Sequence, residues 1–459
     1  MSDNGSIAAS LPASVERPLD AYYYADKKSY MIPREGGGWV VVNQAGLKIA
    51  LKRCGLLNAA GGGELLTPIE HFIDVLHTQY AVDYAGPLAG YRYGLYQENG
   101  HNILVTDELK LPEAVQGKCP ILEGLFERCF GEQLPYVMGW LKHAYLNLLP
   151  DKKAYQPAQL LALCGPPGAG KNLFQDIVTQ ILGGRMAKPY RYLSGGTSFN
   201  LDLTGAEHLQ ISDEVAKQDY ATRRRFGAAL KDICVNSTQS IHAKTKNAIN
   251  LPLRWRITAS LNDRDEDLCI LPPYEPQLWE KIILIKFEHG RDLLPDSADR
   301  EAFWGQVKSE IPALCHHLNS YQLPEAIRHP RYGVSHFHNK ELLVALDVIS
   351  PEMQLHDLII EHVLNSSLEW NGTASELEQK LRSKSGELPR VCTNPQTTGK
   401  YLNRLEEKAA EEHVRIVVSN SRTSTRRGWK ITAKPQHNDS NDGSLLLQPS
   451  SNERCFSEV

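Results

Sequence analysis

The 459-residue chain lacks a disulfide framework. Its nine cysteines are odd in number, scattered, and never spaced as C-x-x-C, which excludes both a cystine-stapled secreted fold and a zinc knuckle. No apolar run is long enough to cross a bilayer, and the start, Met1-Ser2-Asp3-Asn4-Gly5-Ser6, has neither the basic nor the apolar region of a secretory leader. The expectation is a protein of a reducing cytoplasm with no membrane partner. An excess of basic charge is missing too: 50 Lys and Arg against 54 Asp and Glu leave a net charge of −4. That excludes a chain coating nucleic acid over its whole surface, but leaves room for local basic patches. Residues 1–115 offer no polymerase-type Asp-x-Asp pair in a strand context, so primer synthesis is not expected of this chain. The histidines and cysteine of Cys315-His316-His317, with His336 and His338, fit no zinc spacing.

What is present is a phosphate cradle. An apolar run of buried-strand length, Gln159 to Cys164, leads into Gly165-Pro166-Pro167-Gly168-Ala169-Gly170-Lys171-Asn172. Leu173, Phe174, Ile177, Ile181 and Leu182 then recur at helical spacing until Gly183-Gly184. The spacing G-x-x-x-x-G-K is that of a P-loop. Its glycines let backbone N–H groups converge on phosphate oxygens, its lysine adds a mobile positive charge, and the following helix aims its N-terminus at the anion. The pattern from Gly165 to Leu173 therefore predicts a nucleoside triphosphate site whose phosphates are met together with Mg²⁺. One position departs from the pattern. Where Ser or Thr normally ligates Mg²⁺ stands Asn172, whose amide oxygen is a hard-cation ligand, directly or through water, so weakened or rearranged metal binding is expected.

Downstream, Glu207-His208-Leu209-Gln210-Ile211-Ser212 reads as a second strand ending on Asp213-Glu214. Triphosphate hydrolysis needs such a pair: Asp213 to hold the Mg²⁺ shell and Glu214 to orient the attacking water. Gln210 and Ser212 make this strand less apolar than a central parallel strand usually is. Arg256 to Leu261 is a third strand, ending on Asn262, an amide placed to sense the γ-phosphate. Between them, Lys244 and Lys246 occupy a hairpin tip suited to a sequence-independent grip on a phosphate backbone. Arg223-Arg224-Arg225 is read as a solvated or inter-subunit face of a helix.

Length implies two to four domains. Residues 1–20 and 434–459 are polar and read as disordered. Residues 21–118 form an accessory α+β domain with tyrosines at 22, 23, 24 and 30 that pack in a small sheet. Residues 119–155 are a helical collar, 156–292 a strand-helix alternation implying a parallel sheet with its ligand at the strand C-termini, and 293–350 a helical connector. Residues 351–433 give three helices and then a hairpin. The first helix runs through Leu355, Leu358, Ile359 and Val363, the second opens with the capping box Thr373-Ala374-Ser375-Glu376, and the third spans about Thr398 to Glu412. Strands Val414–Val418 and Gly428–Ile431 flank a basic loop. This is the winged-helix pattern, in which Lys400, Arg404, Arg426 and Arg427 would contact DNA.

The order P-loop, acidic pair, lysine-bearing hairpin and terminal asparagine resembles that of superfamily 3 helicases. More narrowly, residues 120–433 look like the helicase portion of phage and mobile-element primase-helicases and primase-polymerases. The resemblance implies an AAA+-like ring motor built on the α/β sheet and helical collar read above: a homo-hexamer that uses ATP with Mg²⁺ and moves 3′ to 5′ along single-stranded DNA. Primers would come from a separate primase or polymerase, and the winged helix would bind duplex DNA or recruit a partner. The resemblance also implies an arginine finger just before the strand Ile282–Phe287, where this chain has Lys281. Lysine neutralises charge but cannot form the bidentate fork, so either Lys281 substitutes or Arg264, Arg254 or Arg256 does the work. A second reading follows from Asn172 and Lys281 together: a nucleotide-switched, DNA-binding replication initiator with weak or no ATPase activity.

Overall fold

The run Leu160-Leu161-Ala162-Leu163-Cys164 forms a strand in which every residue is fully buried, and the first of two units is organised around it. The computed structural model describes residues 17–56, 58–59, 65–150, 156–212, 219–242, 248–288, 299–348, 350–365, 367–385, 392, 394–411, 413–422 and 427–434. The chain divides into a unit of residues 1–342 and another of residues 343–459.

The first unit begins with β1 (Tyr22–Tyr24), β2 (Ser29–Pro33), β3 (Trp39–Val42), α1 (Gln44–Arg53), α2 (Pro68–Gln79) and β4 (Ala81–Val82). These strands form a sheet ordered β3-β2-β1-β4. Tyr22, Tyr24 and Tyr30 are buried among Phe72, Leu76 and Leu47, so three of the four tyrosines are spent on packing. Strands β5 (Tyr84–Gly86), β6 (Gly94–Glu98) and β7 (His101–Val105) make a separate sheet ordered β5-β7-β6. Helices α3 (Pro120–Phe130) and α4 (Leu134–Leu146) follow. Their periodic apolar positions, including Leu122, Phe126, Val137 and Leu141, bury into one core with Leu161, Leu163, Phe174 and Ile177.

The central sheet contains β8 (Leu160–Cys164), β9 (Met186–Ala187), β10 (His208–Ile211), β13 (Arg256–Leu261) and β14 (Ile282–Lys286). All pair in parallel, in the order β14-β8-β13-β10-β9. A parallel sheet buried on both faces needs crossover helices. Here they include α5 (Lys171–Ile181) and α6 (Tyr220–Val235), while α7 (Arg300–Ser320) adds Val307, Ile311 and Leu314 to the same core. The antiparallel pair β11 (Gln239–Ile241) and β12 (Ile249–Leu251) stands as its own two-stranded ribbon.

The second unit runs α8 (Pro351–His362), β15 (Glu369–Gly372), α9 (Ala374–Ser385), α10 (Pro395–Glu407), β16 (Ile416–Arg422) and β17 (Arg427–Ala433), with the sheet ordered β15-β17-β16. Leu355, Ile359, Leu377, Leu381, Leu402, Trp429 and Ile431 form its core. The Thr373 capping box closes as read, with Thr373 N donating to Glu376 Oε2 at 2.7 Å and Glu376 N to Thr373 Oγ1 at 3.2 Å. Two features differ from expectation. Strand β15, too polar to stand out in the sequence, exists because β17 supplies its ladder from Glu369↔Thr432 to Gly372↔Trp429. Helix α10 starts earlier than Thr398, because the Asn394 side chain accepts from Thr397 N at 2.9 Å and Pro395 takes the first helical position. It also ends before Glu412, at Glu407; Lys408 is then held by Asp347 and Glu352 as the chain turns toward β16.

Candidate nucleotide-binding site

Parallel pairing brings the C-terminal ends of β8, β13 and β10 to one edge of the sheet, with Leu261 opposite Cys164 and Ile211 opposite Ala259. The loop after β8 is Gly165–Gly170, the residue after β13 is Asn262, and β10 leads through Ser212 toward the acidic pair. The loop's shape is dictated by its glycines. A Cβ on Gly165 would lie 2.2 Å from Phe287 O, so no other residue lets β8 leave the sheet this close to the chain after β14. Gly170, at φ 103°, turns the chain into the first turn of α5, a conformation open to glycine.

Lys171 opens that helix and is 4% exposed. Its ammonium donates to Gly165 O at 2.6 Å, Pro166 O at 2.8 Å and Asn262 Oδ1 at 3.3 Å. Two residues far apart in sequence thus meet at the strand tips. Asn172 is exposed on the same first turn, and Pro167 and Gly168 are exposed on the loop, while Ala169 is buried and Leu173 half-buried. This arrangement offers backbone N–H groups, a helix N-terminus, a lysine and two amides to an anion. Cys164, beneath the loop, has its thiol pushed up by burial, which keeps it protonated and inert.

Of the other sequence candidates, Asp213, Glu214, Lys244, Lys246 and Arg426 lie outside the described residues, and Arg427 opens β17. Lys281 sits at the opposite end of the sheet, just before β14. It is 3% exposed, and its ammonium donates to Gln277 O at 2.5 Å and to Glu280 Oε1 at 2.6 Å. That ammonium is committed to its own chain rather than to a neighbour. Arg256 is buried and bonded to Trp255 O and His143 O; Arg254 is half-buried and bonded to Asn147 O; Arg264 is exposed, two residues past Asn262. Lys400 is exposed on α10. Arg404 instead turns toward α8, with its guanidinium 3.3 Å from Glu352 Oε2, because a side chain on that stripe of α10 faces the charged residues of α8.

Sequence reasoning missed a set of buried polar side chains beneath the site: Gln175, Thr179, His208, Gln210 and Thr258. The signal was there in the polar character of β10, read only as a weakness of the strand. Burial holds the His208 imidazole down at about 3, so it is neutral. Among the described residues, one group has the spacing of metal ligands: Asp347, Glu411 and His413 in the second unit. The Lys408 ammonium already sits on Asp347, which makes it an ion-pair cluster.

No family model and no curated protein matches the sequence. Solved structures do match. The A form apo structure of the NrS-1 C-terminal region aligns at 11% identity and a TM-score of 0.52, covering 91% of this chain and 97% of that one. The apo structure of the NrS-1 C-terminal region (305-718) gives the same identity and TM-score over 91% and 96%. A structure described as SCCmec type IV Cch, an active helicase, aligns over 85% of this chain and 73% of that one at 9% identity, with a TM-score of 0.28 that lends it no weight. The likeness to the NrS-1 C-terminal region is one of fold, and it extends over nearly the whole length of both chains.

Proposed function

We propose that this chain is an ATP-driven DNA helicase of the superfamily 3 type, acting as a ring of identical copies in the replication of a phage or mobile element in a bacterial cytoplasm. The observation that carries the reading is the meeting of Lys171 and Asn262 at the C-terminal edge of β8 and β13, with β13 lying between the P-loop strand and β10. The strand that ends next to Asn262 thus stands between the P-loop strand and the one leading to Asp213 and Glu214, which supports a shared site.

In this reading Lys171 exchanges the carbonyls of Gly165 and Pro166 for phosphate oxygens, and the loop N–H groups and the start of α5 cradle the rest. Asn262 reports the γ-phosphate, and Glu214 orients the attacking water. Asn172, exposed beside Lys171, and Asp213 would hold Mg²⁺, which when bound neutralises phosphate charge. With Lys281 buried, Arg264 is the better placed of the arginines to act on a neighbouring copy. Lys244 and Lys246 grip single-stranded DNA, and the second unit serves as a winged helix whose Lys400, Arg426 and Arg427 meet duplex DNA. Primer synthesis comes from a separate primase or polymerase.

The test is ATP hydrolysis with and without single-stranded DNA, beside strand displacement on a fork, for wild type and Lys171→Ala. DNA-stimulated turnover and unwinding, both lost in the variant, support the motor. A variant that still unwinds with ATP refutes it. Tight nucleotide binding with negligible turnover in the wild type supports the initiator reading, which Asn172 in place of a hydroxyl residue favours.

A further inference from the structure

The buried polar residues beneath the site form a closed circuit. Gln175 lies on α5 one turn beyond Lys171 and is fully buried. Its Nε2 donates to Ile211 O at 3.0 Å and to Thr258 Oγ1 at 2.8 Å, and its Oε1 accepts from Gln210 Nε2 at 3.1 Å. Thr179 Oγ1 donates to Gln175 O at 3.0 Å, so its proton is used and it can only accept from His208 Nδ1, 2.7 Å away. His208 therefore carries its proton on Nδ1. Its Nε2 is left to accept from Thr258 Oγ1 at 2.8 Å. Each hydroxyl and imidazole proton in the circuit has one destination, and no member is more than 6% exposed.

The circuit joins the three elements that deliver the site. Helix α5 starts with Lys171, β10 leads to the acidic pair, and β13 leads to Asn262. Ile211, whose carbonyl Gln175 holds, is the last residue of β10 and stands two before Asp213. Apolar contact between a helix and a sheet resists separation but tolerates sliding, whereas hydrogen bonds are directional and fix the helix at one depth along the strands. Strand alternation puts Thr258 and Ser260 on one face of β13, with Ser260 two residues before Asn262. Ser260 Oγ, buried and with no partner among the described residues, extends that polar row toward the site.

We propose that Gln175, Thr258 and His208 are positioning residues that set the P-loop helix against the strands carrying the acidic pair and Asn262, so that turnover depends on them and nucleotide binding does not. This rests on the ATPase reading above. Loop N–H groups and Lys171 bind the triphosphate from within one continuous segment, β8 to the first turn of α5, which ends before the circuit begins at Gln175. Hydrolysis needs water-orienting groups from two other strands at the correct depth, and small misplacement costs rate.

The experiment compares wild type, Lys171→Ala, Thr258→Val and Thr258→Ser for steady-state ATP hydrolysis and for binding of a fluorescent ATP analogue. Thr258→Val removes the hydroxyl at nearly constant volume. The expected result is a kcat at least tenfold lower, with KM and analogue Kd within threefold of wild type, and recovery to within twofold in Thr258→Ser. Gln175→Met, which keeps the shape and removes the amide, shows the same split and stands in should Thr258→Val fail to fold. Variants matching wild-type kcat, or losing binding in proportion to turnover, overturn the inference while leaving the ATPase reading intact. A folded wild type with no Lys171-dependent hydrolysis overturns both.

Discussion

The neutral, sealed state of His208 makes acid stability the most direct probe of the interior. Burial, as the single cause, pulls its pKa from the ordinary 6.5 to about 3. In the unfolded chain the imidazole takes a proton as pH falls through 6.5, while in the folded chain it stays neutral until about 3. The unfolded state thus binds more protons across that window, and stability present above pH 6.5 is lost as pH falls toward 3. At pH 5.0, 1.5 units below the unfolded value, the loss is about 2 kcal/mol at 1.36 kcal/mol per unit. The assay is urea unfolding of the full chain, followed by tryptophan fluorescence, at pH 7.5 and 5.0 for wild type and His208→Gln. Other titrating groups are common to both proteins and cancel in the comparison. Wild type should lose about 2 kcal/mol more than the variant between the two pH values. Equal losses would show that His208 takes up its proton in the fold as readily as in the unfolded chain, and the hydrogen-bond circuit would have to be redrawn.

Other perturbations test other parts of the site and the fold. Gly165→Ala places a methyl 2.2 Å from Phe287 O, so it should cost about 1–3 kcal/mol of stability by urea unfolding and weaken nucleotide binding, as overpacked sites do. Arg185→Ala strips the guanidinium from Glu207, a fully buried carboxylate that Arg185 Nε contacts at 3.0 Å and Gly90 N at 2.9 Å. Leaving that charge uncompensated should cost about 3–5 kcal/mol in the same assay. Lys400→Ala should weaken duplex DNA binding and reduce the salt slope by about one. Arg404→Ala, which leaves the buried Glu352 short of a partner, should instead lower the thermal stability of the second unit and leave the salt slope unchanged.

How far the site could be read in advance depends on how far apart its parts lie in the chain. The course from Leu160 to Ile181 is local: an apolar strand, glycines where the backbone turns sharply, and a helix with one apolar stripe. Each is set by neighbouring residues. The capping box at Thr373 and Glu376 is legible for the same reason. The burial of Lys281, the turn of Arg404 toward Glu352, and the existence of β15 were not legible, because each depends on a partner contributed by another element.

Periodicity and glycine conformation act over a few residues, so the glycine-rich turn after β8, the amphipathic helices and the buried strands follow from the sequence alone. Only the tertiary structure decided that β13 lies between β8 and β10, that Lys171 meets Asn262, and that Gln175 ties Ile211 to Thr258. Pairing order is chosen by packing whole faces against one another. That choice converted polar residues which look like flaws in a strand into a satisfied network beneath the site.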